Sequence, residues 1–177
     1  MKYRIIYADP PWYYYSMNHS GKNSNQETTL NKHYNTLSLK EICELEIYGE
    51  KIKDIIEQNA VLLLWATSPR LDWAFEVIKS WGFTYKTSLI WDKVKHNVGH
   101  YASVRHELLL IGGKGKSRPD NRFLIDSVVE IERTNHSRKP EYFIEWIDKK
   151  WIDGNRIELF ARQPQIRKNW HYWGYEA

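Results

Sequence analysis

Cysteine is almost missing: Cys43 stands alone in a chain of 177 residues. One thiol forms no intrachain disulfide and no thiolate metal cluster, and its place in an amphipathic stretch marks it as a small core residue. Long apolar runs are missing too. No stretch approaches the ~20 residues that cross a bilayer, and nothing at the N-terminus resembles a secretory leader. These absences point to a soluble cytoplasmic protein, nucleoid-associated if the source is a bacterium or phage. No HExxH spacing occurs among the seven histidines, so a metal site is rejected. Internal repeats and low-complexity linkers are absent as well, which leaves one domain over residues 1–177.

What is present is basic and aromatic. Lysine and arginine total 26 against 22 acidic residues, a formal charge of +4 that leans mildly toward an acidic partner such as nucleic acid. Aromatic residues make up 15% of the chain. Most belong to a core; the remainder are candidates for stacking on a planar ligand.

Strand and helix signals alternate along the chain. Residues 3–9 (YRIIYAD) read as a short strand that Pro10 and Pro11 terminate, because neither proline can donate to a ladder. Residues 16–31 are polar and lack periodicity, as in a long binding loop. Ser38 and Glu41 form a capping box for a helix through Leu45, and a second helix is expected over 51–58. Residues 60–66 (AVLLLWA) have the unbroken apolar character of a strand buried on both faces. A helix over 70–80 follows, then strands at 84–91 and 106–111 separated by a polar, basic segment, 92–105. After a Gly/Lys/Arg-rich loop at 112–122 come a strand at 128–132, a helix at 140–150, a strand at 156–160 and an irregular aromatic tail. This alternation predicts an α/β fold with a largely parallel sheet flanked by helices. Ligands of such sheets sit beyond the carboxyl ends of the strands, which directs attention to Asp9–Trp12, Thr67–Arg70, Asp92 onward and Ala161 onward.

Asp9-Pro10-Pro11-Trp12 is the most specific of these segments. An exocyclic aromatic amine is a poor nucleophile because its lone pair is delocalised into the ring. Two acceptors, one for each of its hydrogens, favour a tetrahedral nitrogen whose lone pair is free to attack. A carboxylate from Asp9 and the backbone carbonyl of Pro10 would supply them, with Pro10 and Pro11 holding that carbonyl rigid. Trp12 would stack on the flipped base. A proline-rich turn with an aromatic lid is the alternative.

The chain resembles the DPPW-type adenine-N6 methyltransferases, the family of the catalytic subunit of the eukaryotic mRNA adenosine methyltransferase and its bacterial and phage DNA-modifying relatives. Four blocks carry the resemblance in order: ADPPW at 8–12, VLLLWAT at 61–67, HSRKP at 136–140 and ELFAR at 158–162. The resemblance implies a Rossmann-like methyltransferase fold whose motif order is circularly permuted, with the catalytic motif preceding the cofactor-binding segments. It also implies S-adenosylmethionine as cofactor. Lys139 would then pair with the methionine carboxylate and Asp9 would face the amine end. Phe160 would pack nearby, Arg162 and Gln165 would reach the ribose, and Tyr175 and Glu176 would close over the same region. Glu158 needs a partner wherever it is buried, and that partner is either the cofactor or purely structural. The chain departs from many methyltransferases in lacking a glycine-rich FxGxG segment, whose place the ELFAR block takes in this family, and its tail reads WGYE where related catalytic subunits carry amides.

Nucleic-acid contacts are expected from Tyr13, Lys93, Lys95, His96, His100, Arg105 and His106, and from the basic loop at 114–118. A solvated basic face would explain any one of them equally well. The expected activity is methyl transfer to the N6 amine of adenine in DNA, favoured over RNA because the domain is minimal. A non-catalytic nucleic-acid-binding scaffold is the remaining alternative. No target-recognition domain is evident, so base choice falls to loops or to a second subunit such as a homodimer partner.

Overall fold

Tyr3–Ala8 forms β1, an interior strand of a seven-stranded sheet. The computed structural model describes residues 1–14, 36–97, 101–133, 138–162 and 166–174. The polar loop expected at 16–31, the HS of the HSRKP block, His100, Gln165, Tyr175 and Glu176 lie outside the described residues.

After β1 come helix α1 (Leu39–Cys43), a small hairpin of β2 (Glu46–Ile47) and β3 (Glu50–Lys51), α2 (Ile52–Ile55) and β4 (Ile56–Ala66). A 3-10 turn at Ser68–Arg70 leads into α3 (Leu71–Ser80), then β5 (Thr84–Asn97), β6 (Val104–Lys114), β7 (Val128–Glu130), α4 (Glu141–Lys150), β8 (Arg156–Leu159) and β9 (Trp170–Trp173). The sheet order is β7-β5-β6-β4-β1-β8-β9. The pairs β1–β4, β1–β8, β8–β9 and β5–β7 are parallel, whereas β6 runs antiparallel to both β4 and β5. This is a Rossmann-like, mostly parallel α/β sheet.

Local chemistry explains several of these elements. Ser38 caps α1 reciprocally: its Oγ accepts the Glu41 amide at 3.3 Å, and the Glu41 carboxylate accepts the Ser38 amide at 2.7 Å. Helix α3 stops at Trp81 and Gly82, where φ of +84° suits a residue without Cβ. Alternation along the strands feeds two cores. Ile6, Ala8, Leu62, Leu64, Leu110, Ile157 and Leu159 face α1 and α3, meeting Ile42, Ala74, Val77 and Ile78. Ile5, Tyr7, Val61, Leu63, Trp65, Leu89, Trp91 and Leu109 face α4, meeting Phe143, Trp146 and Ile147. Both faces of β4 are covered, as its unbroken apolar run predicts.

Several expectations need correction. The polar, basic segment at 92–105, expected to separate two strands, is largely strand itself, because β5 continues to Asn97 and β6 begins at Val104. The helix expected at 51–58 is the single turn α2, and Ile56–Asn59 extend β4 instead. The tail read as irregular supplies the edge strand β9, parallel to β8. The basic loop at 114–118 leaves the sheet at the end opposite the catalytic motif. Lys114 is in register with Ala60 and Leu108 with Ala66, so the two ends of the β4–β6 ladder lie about 20 Å apart.

Candidate active site

The edge beyond Ala8 and Ala66 collects one residue from each of several elements because the pleat alternates. Asp9 continues the row of Ile5 and Tyr7, Lys93 that of Leu89 and Trp91, and Glu107 that of Leu109; all belong to the face covered by α4. Lys139 enters from the segment that opens α4. Its Nζ donates to Asp9 Oδ2 at 2.6 Å and lies 3.2 Å from Glu107 Oε2. The second oxygen of Glu107 accepts from Lys93 Nζ at 2.9 Å. Two lysines and two carboxylates thus alternate in one chain of neutral total charge. The Trp65 ring packs against Lys139, its centroid 5.4 Å from Nζ, and the Trp65 indole N–H donates to the Tyr7 hydroxyl at 2.7 Å.

Asp9 is the most open member of the cluster, with 26% of its side chain exposed against 15% for Glu107, 13% for Lys139 and 8% for Lys93. Burial opposes the charge on Lys139, but Asp9 and Glu107 together raise its pKa above the ordinary lysine value. Burial pushes Glu107 up, and the two lysines override it and hold the carboxyl below its usual range. Asp9 shares one lysine and feels Glu107, so burial wins and its pKa is raised. The accessible carboxylate is therefore also the readier proton acceptor.

The backbone beside Asp9 is fixed from several sides. The Trp12 amide donates to the Pro10 carbonyl at 2.9 Å, which leaves that oxygen a second lone pair. Pro11 O accepts the Leu37 amide at 2.8 Å, and the Trp12 indole N–H donates to the Trp65 carbonyl at 3.3 Å. Arg70 Nε donates to the Tyr13 carbonyl at 2.7 Å. A carboxylate and a rigid carbonyl on consecutive residues are what the amine-holding chemistry requires.

Glu158 is in register with Tyr7, on the same face as Asp9 and one pleat below it. Burial, reinforced by the charge of Asp9 and partly offset by Arg167, raises its pKa to about 7. Just beyond it, Phe160 adopts φ of +62°, an uncommon conformation for a side chain of that size. The following amide, Ala161 N, donates to the Trp173 carbonyl at 3.0 Å. Gly174 lies so close that a Cβ there would sit 2.6 Å from Ala161 N, so β8 and β9 clamp the turn that delivers Arg162 to the edge.

A family model described as MT-A70 matches residues 3–176. The chain belongs to the MT-A70 family. It is 34% identical over 193 residues to the Type II methyltransferase M.MunI of Mycoplasma sp, spanning 99% of this chain and 78% of that protein. It is 25% identical over 177 residues to the N(6)-adenosine-methyltransferase catalytic subunit METTL3 of Homo sapiens, and equally so to the N(6)-adenosine-methyltransferase MT-A70-like protein of Drosophila melanogaster. Those two alignments cover 96% of this chain but only about a quarter of the relatives, 27% and 26%.

Within this MT-A70 chain the structure brings Asp9, Lys139 and Glu158 to one face of one sheet edge, with Arg162 exposed beside them and felt electrostatically at Asp9. Other residues it places differently. Trp12 is 5% exposed, packed in the core on the α1 and α3 side with its N–H satisfied, so an open stacking platform is not what its ring provides. Phe160 is in the same core, edge-to-face on Trp173 at 5.7 Å. Lys93 is buried against Glu107 rather than free for a phosphate, since a buried ion pair satisfies it. Arg105 remains 44% exposed while pairing with Asp92 at 2.5 Å, and half-buried His106 meets the Ser68 hydroxyl at 3.1 Å. Tyr13 is half-buried. Glu107 escaped the sequence reading, although a carboxylate inside the apolar strand HELLLI is a signal in itself, because such a charge must find a partner.

Proposed function

We propose that residues 1–177 act as one domain that transfers a methyl group from S-adenosylmethionine to the N6 amine of adenine in DNA. The observation that carries this reading is the juxtaposition of the Asp9 carboxylate and the Pro10 carbonyl with the buried Lys139 ammonium.

The polar groups at this edge fit the cofactor's chemistry. Lys139 suits its carboxylate and Asp9 its ammonium. Glu158, held near neutrality by burial, suits hydroxyls or a cation, and Arg162 is within electrostatic reach of Asp9. Gln165 and Tyr175 belong to the same proposal. Bound S-adenosylmethionine supplies a methyl group already activated by its sulfonium, so the protein needs to position and stabilise rather than activate. Asp9 and the Pro10 carbonyl each accept one hydrogen of the adenine amine, favouring the tetrahedral nitrogen. The nitrogen–carbon bond forms as the carbon–sulfur bond breaks, and the positive charge passes to the amine. Asp9, whose raised pKa suits it to the task, then accepts the surplus proton. Trp12 supports this geometry from within, by fixing the turn that aims the Pro10 carbonyl.

DNA is favoured because M.MunI, whose name describes a Type II methyltransferase, aligns over most of both chains. Similarity to METTL3 supports RNA as the second reading. Exposed Arg105 and half-buried Tyr13 are the contacts proposed for the polymer. The test is label transfer from methyl-tritiated S-adenosylmethionine to duplex DNA, single-stranded DNA and RNA in parallel. Label on DNA supports the proposal, label confined to RNA supports the second reading, and no label on any polymer refutes both.

A further inference from the structure

Residues 12, 13 and 14 are each tied to the corner between β4 and α3. The Trp12 indole N–H donates to the Trp65 carbonyl at 3.3 Å, Arg70 Nε donates to the Tyr13 carbonyl at 2.7 Å, and the Tyr14 hydroxyl bonds Thr67 Oγ1 at 2.6 Å. Arg70 is the hub of this corner. Its Nη1 also donates to the Pro69 carbonyl at 3.1 Å, and its guanidinium carbon lies 4.9 Å from the Tyr14 ring centroid and 4.6 Å from that of Trp73. A planar cation that stacks on aromatic rings while donating in its own plane describes arginine and not lysine. The Trp12 amide in turn closes on the Pro10 carbonyl at 2.9 Å, so a displacement at Tyr13 is passed through two residues to that carbonyl.

We propose that Arg70 is a positioning residue for methyl transfer, holding the chain after the Asp9–Trp12 motif so that the Asp9 carboxylate and Pro10 carbonyl keep their aim. It touches none of the reacting atoms and acts through the Tyr13 carbonyl. The inference rests on the methyltransferase reading above. Its physical basis is that misplacing a reacting group by about 1 Å costs on the order of a hundredfold in rate. In the sequence Arg70 stands out only as the last residue of the Thr67–Arg70 strand-end segment, with no role of its own, and reads as the start of a helix.

The full chain is tested as Arg70→Ala, Arg70→Lys and Thr67→Val, by steady-state methyl transfer and by hydrogen exchange of the peptide covering residues 9–14. In Arg70→Ala, kcat should fall about tenfold or more, with KM for S-adenosylmethionine within about twofold of wild type. Exchange at residues 12–14 should quicken by about tenfold. Arg70→Lys should stay close to Arg70→Ala, whereas a phosphate contact would be rescued by lysine. Wild-type kcat in Arg70→Ala, a loss confined to KM, or full rescue by lysine overturns the proposal. Should Arg70→Ala fail to fold, Thr67→Val removes a single hydrogen bond of the same corner and should still lower kcat about threefold or more, and an unchanged kcat there overturns it equally. If the wild-type chain transfers no methyl group, the methyltransferase reading fails. Exchange then judges Arg70 alone, since unchanged exchange in Arg70→Lys would show that it does not hold the turn.

Discussion

Replacing Glu107 with glutamine keeps the volume of the side chain and removes the negative charge that separates Lys93 from Lys139. In the native cluster those lysines lie 2.9 and 3.2 Å from its two oxygens, with Glu107 only 15% exposed. Each attraction is worth about 5 kcal/mol before desolvation at an effective dielectric near 20. Much of that is already spent on burial, and breaking such a buried pair costs about 3–5 kcal/mol net. For a domain of this size that lowers the melting temperature by about 6–20 °C. The pH dependence is equally specific. The folded state holds the Glu107 carboxyl below its ordinary value, so its contribution is complete above about pH 4.5 and is lost as pH falls through the depressed value. Thermal melts followed by circular dichroism should show the gap between wild type and Glu107→Gln wide at pH 7.5 and closing below pH 4. Adding Lys93→Met should recover part of the loss, because it removes a buried lysine that the glutamine leaves unpaired. A melting temperature within 2 °C of wild type, or a gap that ignores pH, would refute the charge-chain account.

Other consequences concern neighbouring residues. Glu158, with a folded pKa of about 7 against an ordinary 4.5, binds a proton more readily folded than unfolded, so it costs stability as pH rises through that window. Glu158→Gln should therefore match wild type below pH 4.5 and gain about 1–3 kcal/mol above pH 7, read by urea denaturation at both pH values; no gain at pH 8 would contradict the burial argument. Arg105→Ala should raise KM for the polymer and lower the slope of log KM against log salt by about one, while Lys116→Ala, in the loop at the opposite end of the sheet, should change neither.

Much of this architecture is legible in the sequence. The unbroken run at 60–66 announced a strand buried on both faces, and Ser38 with Glu41 announced a helix start that the fold realises in both hydrogen bonds. The missed boundaries have a common cause. Asp92, Lys93 and Lys95 carry no apolar alternation, because β5 runs past the core there and its polar side chains are satisfied by partners far along the chain, Arg105, Glu107 and Glu132. Trp170–Trp173 likewise follows a polar approach, and Asn169 at φ of +64° breaks the pattern just before the strand begins. At the active edge, Asp9 and Lys139 were visible through their motifs. Glu107 and Arg70 matter through contacts that only the three-dimensional arrangement creates.

The most direct test of the central claim is the chemical identity of the methylated base. Duplex DNA incubated with the protein and S-adenosylmethionine would be digested to nucleosides and analysed by mass spectrometry, with Asp9→Ala alongside. The account predicts N6-methyladenine as the sole new base, absent with Asp9→Ala although that variant remains folded. Methylation at another base or ring position, or undiminished N6-methyladenine from Asp9→Ala, would contradict it.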